Sequence, residues 1–358
     1  MNDGDGINSN IVNKIKMKSY ILRKYGAPNV LNIEDSPEPV PGTEEIRVKI
    51  EKLGLNYAEV QSRKGLYGWA PKLPYTLGME AVGTVDMIGE SVKNKKVGEK
   101  VIVGCQYGTY AEKIVIPERQ ALPPIISFSD DENTAFPVNY LTAWVALMKI
   151  ARLKSNDTVL IHAAAGGVGT AAVQIAKKIG CYVIGTASKN KKIEMLNDLG
   201  IDLAINYFHK DFEEVIKRKT DNKGVDVVLE VVGGDVFKKS MKLLSPFGRT
   251  VVVGFASLNL KKMNPISWVK TWKDIPRAKV SDLAESSTGL LATHLGYLLN
   301  NGTLLREVWD ELVTFTIKHG IKPIIGHRFE FDELSKAHEL MESRNSHGKI
   351  IISLPSAL

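Results

Sequence analysis

The segment Val159–Gly169, VLIHAAAGGVG, followed at once by TAAVQIAKKIG, limits what this chain can fold into more than any other stretch. A short apolar run with strand character enters a small-residue turn, and the turn opens a helix-like segment. In that order, unbonded backbone N–H groups and the positive helix end converge on one point, where a pyrophosphate binds. Gly166 lets the main chain approach the phosphates, and Gly169 lets the helix pack close to the sheet. Ala164 stands where the first glycine of the usual pattern is expected, so the flanking strand and helix carry the assignment. The window Val159–Ala176 is about as long as a membrane span, but His162, Thr170, Gln174 and three glycines interrupt it.

An NAD site needs a carboxylate for the adenosine ribose about 20 residues past the glycines, at the end of the next strand. Here that position reads Thr186, Ala187, Ser188, Lys189, with Lys191 and Lys192 following. A hydroxyl and several lysines suit a 2′-phosphate, so NADP is the expected cofactor. The alternative is that these lysines are only a solvated helix start.

The chain has 358 residues, enough for two domains with separate cores. From Tyr20 to about Pro137, β-rich runs such as Ile46–Ile50, Ala81–Ile88, Lys100–Val103 and Glu112–Ile116 alternate with turn residues. Beyond Pro137, strand-like runs at Thr158–His162, Tyr182–Gly185, Leu203–Asn206, Val225–Glu230 and Thr250–Val253 alternate with helical stretches, which predicts a parallel sheet covered on both faces. A helix over Leu304–His319, a β run at Arg328–Phe331, an amphipathic Asp332–Ser343 and a strand Lys349–Ser353 close the chain. These late runs resemble the first half in texture, so the C-terminus is expected to return to it. Trp268 and Trp272 share a helical face and read as core, as subunit packing or as substrate contacts.

A net charge of +7 is small for this length, and the basic clusters read as solvated faces, so no nucleic-acid partner is expected. Two cysteines, Cys105 and Cys181, provide neither a disulfide framework nor a four-cysteine zinc lobe, and a cytoplasmic protein is expected. Residues 1–17 are polar, with no apolar segment for a signal or an anchor, and read as a disordered tail.

The chain resembles the medium-chain dehydrogenase/reductase superfamily, its zinc-independent quinone oxidoreductase (zeta-crystallin-like) branch, and within that the homologues of the synaptic-vesicle amine-transport protein. The resemblance rests on YGAPNVL at Tyr25–Leu31, GLNYAEVQSRKGLY at Gly54–Tyr67, LPYTLGMEAVGTV at Leu73–Val85, FPVNYLTAW at Phe136–Trp144, AAAGGVG and GTAS. NPISWVKTW at Asn264–Trp272 and HLGYL at His294–Leu298 point to the vesicle-protein homologues. It implies an α/β protein, with a Rossmann-type doubly wound parallel sheet domain plus a GroES-like mainly β domain and an active site in the cleft between them. The expected division is a GroES-like part over 18–137, a cofactor domain over 138–321 and a returning segment over 322–358.

By the same resemblance, Asn56 and Thr142 lie near the nicotinamide, and Gly166, Gly167, Val168 and Gly169 form the pyrophosphate turn. Ser188, Lys192 and Tyr207 surround the 2′-phosphate, and Gly254 and Phe255 line the nicotinamide ribose. Tyr67 resembles a tyrosine at the mouth of the cleft that either touches substrate or simply packs. Zinc-dependent relatives carry a cysteine where this chain has Asn56 and a histidine where it has Met79, so no metal is expected. His162 reads as a structural histidine.

The expected reaction is hydride transfer from NADPH to a quinone or an α,β-unsaturated carbonyl compound, with Asn56 and Tyr67 as catalytic candidates and the proton taken from water. The rival reading is an NADP-binding membrane-trafficking or scaffold protein with little catalysis, associated peripherally with membranes. A homodimer is expected, with Lys322–Ile325 and the Trp268 and Trp272 segment as candidate contacts.

Overall fold

The computed structural model describes residues 16–256 and 274–355; Trp268, Trp272 and most of the expected tail lie outside the described residues. The described chain divides into two compact units, one of residues up to Pro137 with Arg328–Ser343 and Ile350 onward, the other Val138–His327 with Arg344–Lys349.

In the first unit, β1 (Lys16–Leu22) lies between β2 (Ile33–Pro37) and β4 (Tyr75–Thr76) in a small antiparallel sheet. The larger sheet is built on β3 (Glu45–Leu55), β5 (Glu80–Ile88), β6 (Lys100–Gly104), β7 (Lys113–Pro117) and β8 (Ala121–Leu122). Strand β3 is long enough to pair with β5 along most of its length and with β7 at its first half. Its alternation places Ile46, Val48, Ile50 and Leu53 in the core, each worth roughly 1.5–3 kcal/mol of apolar burial. A short helix, α1 (Tyr57–Arg63), follows β3 directly.

In the second unit, β9 (Thr158–Ile161), β10 (Tyr182–Ala187), β11 (Leu203–Asn206), β12 (Val225–Glu230), β13 (Leu244–Val252) and β14 (Gly289–Ala292) form a parallel sheet in the order β11-β10-β9-β12-β13-β14. The order reverses between β9 and β12, so the doubly wound expectation holds, and the switch point lies at the carboxyl end of β9. The helices used below are α2 (Pro137–Trp144), α3 (Gly167–Ile179), α4 (Asn190–Asp198) and α5 (Gly234–Met241). Helix α3 buries Ala171, Ala172, Val173, Ile175 and Ala176 and stops at Gly180, whose left-handed backbone closes the last turn.

The last strands, β15 (Ile325–Glu330) and β16 (Lys349–Ser353), join the larger sheet in the order β15-β16-β3. Ile350 and Ile352 enter the first unit's core with Phe331, Leu334 and Ala337, which is the physical reason the C-terminus returns. Residues 322–324 form no strand. Pro323 has no N–H to offer a ladder, and the Lys322 carbonyl instead accepts from Gln174 Nε2 at 3.1 Å and Tyr140 Oη at 3.2 Å.

Candidate functional site

The glycine turn begins where β9 ends. His162 N–H donates to the Leu229 carbonyl, Ala164 N–H to that of Thr186, and Gly166 caps α3 in an extended conformation. The first-turn N–H groups of Gly167, Val168 and Gly169 have no carbonyl four residues back inside the helix and face the sheet's carboxyl edge. A Cβ on Gly169 would sit 2.6 Å from Ala164 Cα and closer still to the Ala163 carbonyl, so only glycine brings helix and turn this near.

Asn139 and Thr142 stand one turn apart on α2. Asn139 is buried, and a Cβ on Gly167 would meet its Oδ1 at 2.7 Å, so its amide packs directly on the glycine turn. Sequence reasoning chose Thr142 and passed over Asn139, although both lie in FPVNYLTAW.

At the far end of the edge, Ser188 is buried just past β10 and Lys192 lies in the first turn of α4. Tyr207 N–H donates to Ala187 O at 3.1 Å, which holds this half-exposed tyrosine beside Ser188. Gly254 and Phe255 follow β13, where Val253 N–H bonds Glu230 O and Ala256 N–H bonds Val231 O. The cofactor residues expected from sequence within this unit therefore gather along the carboxyl edge of its sheet, with Thr142 on α2, while Asn56 belongs to the first unit.

A second strand of chain along that edge has no counterpart in the sequence reading. Lys192 Nζ donates to Arg344 O at 3.0 Å, Gly348 N–H donates to Ala165 O at 2.8 Å, and Gly348 bridges Gly166. Residues 344–348 thus run from the head of α4 to the glycine turn. Gly348 takes a φ of +54°, and a side chain there would strike the Ile324 carbonyl.

Two buried polar groups sit under this edge. His162 bridges Thr186 Oγ1 at 3.0 Å and Ser240 Oγ at 2.7 Å, and burial pushes its pKa down to about 3, so it is a neutral structural imidazole. Glu230, at the end of β12, accepts Val232 N–H at 2.6 Å and Gly233 N–H at 3.0 Å on Oε1, while Oε2 has no partner among the described residues. Burial raises its pKa from 4.5 to about 7 against those N–H bonds.

In the first unit, Asn56 caps α1 and is buried. Its Nδ2 donates to Glu80 Oε1 at 2.9 Å, and its N–H to Glu59 Oε2 at 2.7 Å. Glu59 also accepts Met79 N–H at 2.9 Å on Oε1 and the Tyr110 hydroxyl at 2.9 Å on Oε2. A carboxylate accepts only, so Tyr110 donates there and accepts from His338 Nε2 at 3.0 Å, the tautomer consistent with an unbonded Nδ1. Tyr67 packs edge-on against Trp69, and burial, then the charge of Glu59, pushes its hydroxyl up to about 12.

These donors do not fit a zinc ion. An amide and a thioether stand where thiolate and imidazole are needed, both Glu59 oxygens are already engaged, and burial raises the Cys105 thiol so that it keeps its proton. Among the described residues no group of three His, Cys, Asp or Glu could hold a metal. The glycine turn, in contrast, fits a dinucleotide.

Two family models match the chain, one described as a zinc-binding dehydrogenase over residues 167–280 and one as an alcohol dehydrogenase GroES-like domain over residues 42–126. The synaptic vesicle membrane protein VAT-1 homolog of Mus musculus is 32% identical over 342 residues, 94% of this chain and 83% of that protein. A quinone oxidoreductase-like protein 2 homolog of Nematostella vectensis is 31% identical, over 94% of this chain and 89% of its own length. Among solved structures, a quinone oxidoreductase of Pseudomonas syringae superposes with a TM-score of 0.84 at 30% identity, covering 94% of this chain and 99% of that one. A mycobacterial protein complexed with NADPH gives 0.84 at 27% identity with the same coverage. No helix among the described residues is long and apolar enough to cross a membrane.

Proposed function

This chain belongs to the medium-chain dehydrogenase/reductase superfamily of NAD(P)-dependent oxidoreductases, in the branch of quinone oxidoreductases and VAT-1 homologues, and from that membership we propose that it is an NADPH-dependent, zinc-independent reductase of quinones or α,β-unsaturated carbonyl compounds. The observation that carries this reading is the carboxyl edge of the parallel sheet, where the N–H groups of Gly167–Gly169 stand at one end and Ser188, Lys192 and Tyr207 at the other. The first group suits a pyrophosphate and the second a 2′-phosphate. The NADPH bound in the mycobacterial structure supports the choice of cofactor.

When bound, the reduced nicotinamide supplies a hydride to an electron-poor carbon, and water supplies the accompanying proton. The protein's own part is to bind, orient and shield. Thr142 on α2 and the pair Gly254 and Phe255 are assigned to the nicotinamide end, and Asn139 to the glycine turn on which it packs. Asn56, with its amide held by Glu80 and its helix by Glu59, is assigned to orient the nicotinamide or to donate to the oxyanion. Tyr67 keeps its proton at neutral pH and is a second candidate donor.

The test follows NADPH consumption at 340 nm across simple quinones, enones and crotonyl thioesters. Turnover of a quinone or enone is expected. Consumption with none of the three refutes the enzyme reading and favours the NADP-binding scaffold, to which the vesicle membrane protein's similarity gives its weight. We further propose a homodimer, since among the described residues β14 is the last strand of the parallel sheet.

A further inference from the structure

The end of the cofactor edge that carries Lys192 holds a group of basic side chains from three separate parts of the chain. His327, at the head of β15, and His347, in the 344–348 segment, stack edge-on with ring centroids 4.8 Å apart. His347 is carried to this point by its neighbours, because Gly348 is tied to Ala165 and Arg344 to Lys192. Gly326 has no side chain to keep the His347 main chain away; a Cβ there would overlap its carbonyl. Lys191 and Lys192, from the first turn of α4, act electrostatically on both rings, and each of the groups acting on either ring is basic. His327 Nε2 is buried with no hydrogen-bond partner among the described residues. Two lysines and two imidazoles brought together in this way suit an anion with more than one charge.

We propose that His327 and His347, with Lys191 and Lys192, form the pocket for the phosphate ester on the adenosine ribose of the cofactor, and that the imidazoles take up protons as that phosphate binds. The inference rests on the NADPH reading and deepens it, since it adds two recognition residues that the sequence pattern did not offer. Both imidazoles are held below their ordinary 6.5 in the free protein, by burial first and by the neighbouring lysines and, for His327, by His347. They are therefore mostly neutral at pH 7.5. A dianionic phosphate placed beside the stacked pair favours the charged form of each, so binding draws protons from solvent. Arg344 belongs to the same segment, with its backbone carbonyl on Lys192.

The experiment compares adenosine 2′,5′-bisphosphate with 5′-AMP, and NADPH with NADH, by calorimetry on the full chain. At pH 7.5, titrations in two buffers of different ionisation enthalpy are expected to report proton uptake with the bisphosphate and none with 5′-AMP. This readout needs no variant; no uptake in the native protein overturns the inference. The double substitution H327Q and H347Q is expected to lower the NADPH over NADH affinity ratio by about tenfold. The native ratio is also expected to rise as pH falls from 8 to 6, more steeply than in the double variant. The phosphate's own second ionisation, near pH 6, acts alike in both proteins and cancels in that comparison. A native protein that prefers NADPH, with a variant that keeps both ratio and slope, overturns the histidine assignment and leaves the NADPH reading standing. Equal native affinities for NADPH and NADH overturn both.

Discussion

Glu230 makes folding stability depend on pH in a direction opposite to that of most carboxylates. Its side chain is fully buried at the end of β12, and among the described residues only Oε1 is bonded, to the Val232 and Gly233 N–H groups. The folded pKa of about 7 lies above the ordinary 4.5 of the unfolded chain. A raised carboxyl pKa means that the unfolded state gains more from ionisation. The stability is fully present below pH 4.5 and is lost as pH rises through 7. At one pKa unit per roughly 1.4 kcal/mol, the ceiling is about 3 kcal/mol, and between pH 5 and pH 8 the loss is about 2–3 kcal/mol. Glu230→Gln keeps an oxygen for the two N–H donors and has no charge to lose. Denaturant unfolding at pH 5, 6, 7 and 8 should therefore find the variant drawing ahead of the native protein by about 2–3 kcal/mol over that range. A difference that stays constant from pH 5 to pH 8, or one that shrinks, refutes a buried, protonated Glu230.

Replacing Lys192 with Ala should weaken NADPH by about 1–3 kcal/mol and leave NADH nearly unchanged, as read by calorimetry; equal losses for the two nucleotides refute a phosphate contact. Asn56→Ala should lower quinone or enone turnover by about ten- to a thousandfold with little change in NADPH affinity. Because it also strips Glu80 of a donor, its thermal unfolding should be measured beside its kinetics. Elemental analysis should find no stoichiometric zinc, and chelators should leave thermal stability unaltered; one zinc per chain would contradict the donor chemistry at Asn56, Met79 and Cys105. Light scattering should give a dimer mass, and a monomer at micromolar concentration counts against the assembly.

What could be read without a structure was local in the chain. The β9 strand, its glycine turn and α3 occupy consecutive residues, so VLIHAAAGGVG was legible as a strand, a turn and a helix, the arrangement from which a phosphate site is proposed. Most strands of both sheets were legible for the same reason, since alternation and strand–helix spacing are properties of short windows, whereas β14 at Gly289–Ala292 was not read. The loss of the zinc pair at Asn56 and Met79 was equally plain once the resemblance supplied the positions to compare. Contacts between distant segments were out of reach. Lys192 and Arg344 are 152 residues apart, and nothing in the spacing of either predicts a hydrogen bond between them. Nothing in the sequence singled out His327 or His347, which lie near a C-terminus expected to complete the β domain. Packing decides otherwise: Gly348 N–H is bonded to the Ala165 carbonyl and His347 stacks on His327. Glu230 is the same kind of case. Its place after VDVVL shows a strand ending in a carboxylate, but its pKa follows from the burial that the surrounding sheet and α5 impose, which no stretch of sequence carries alone.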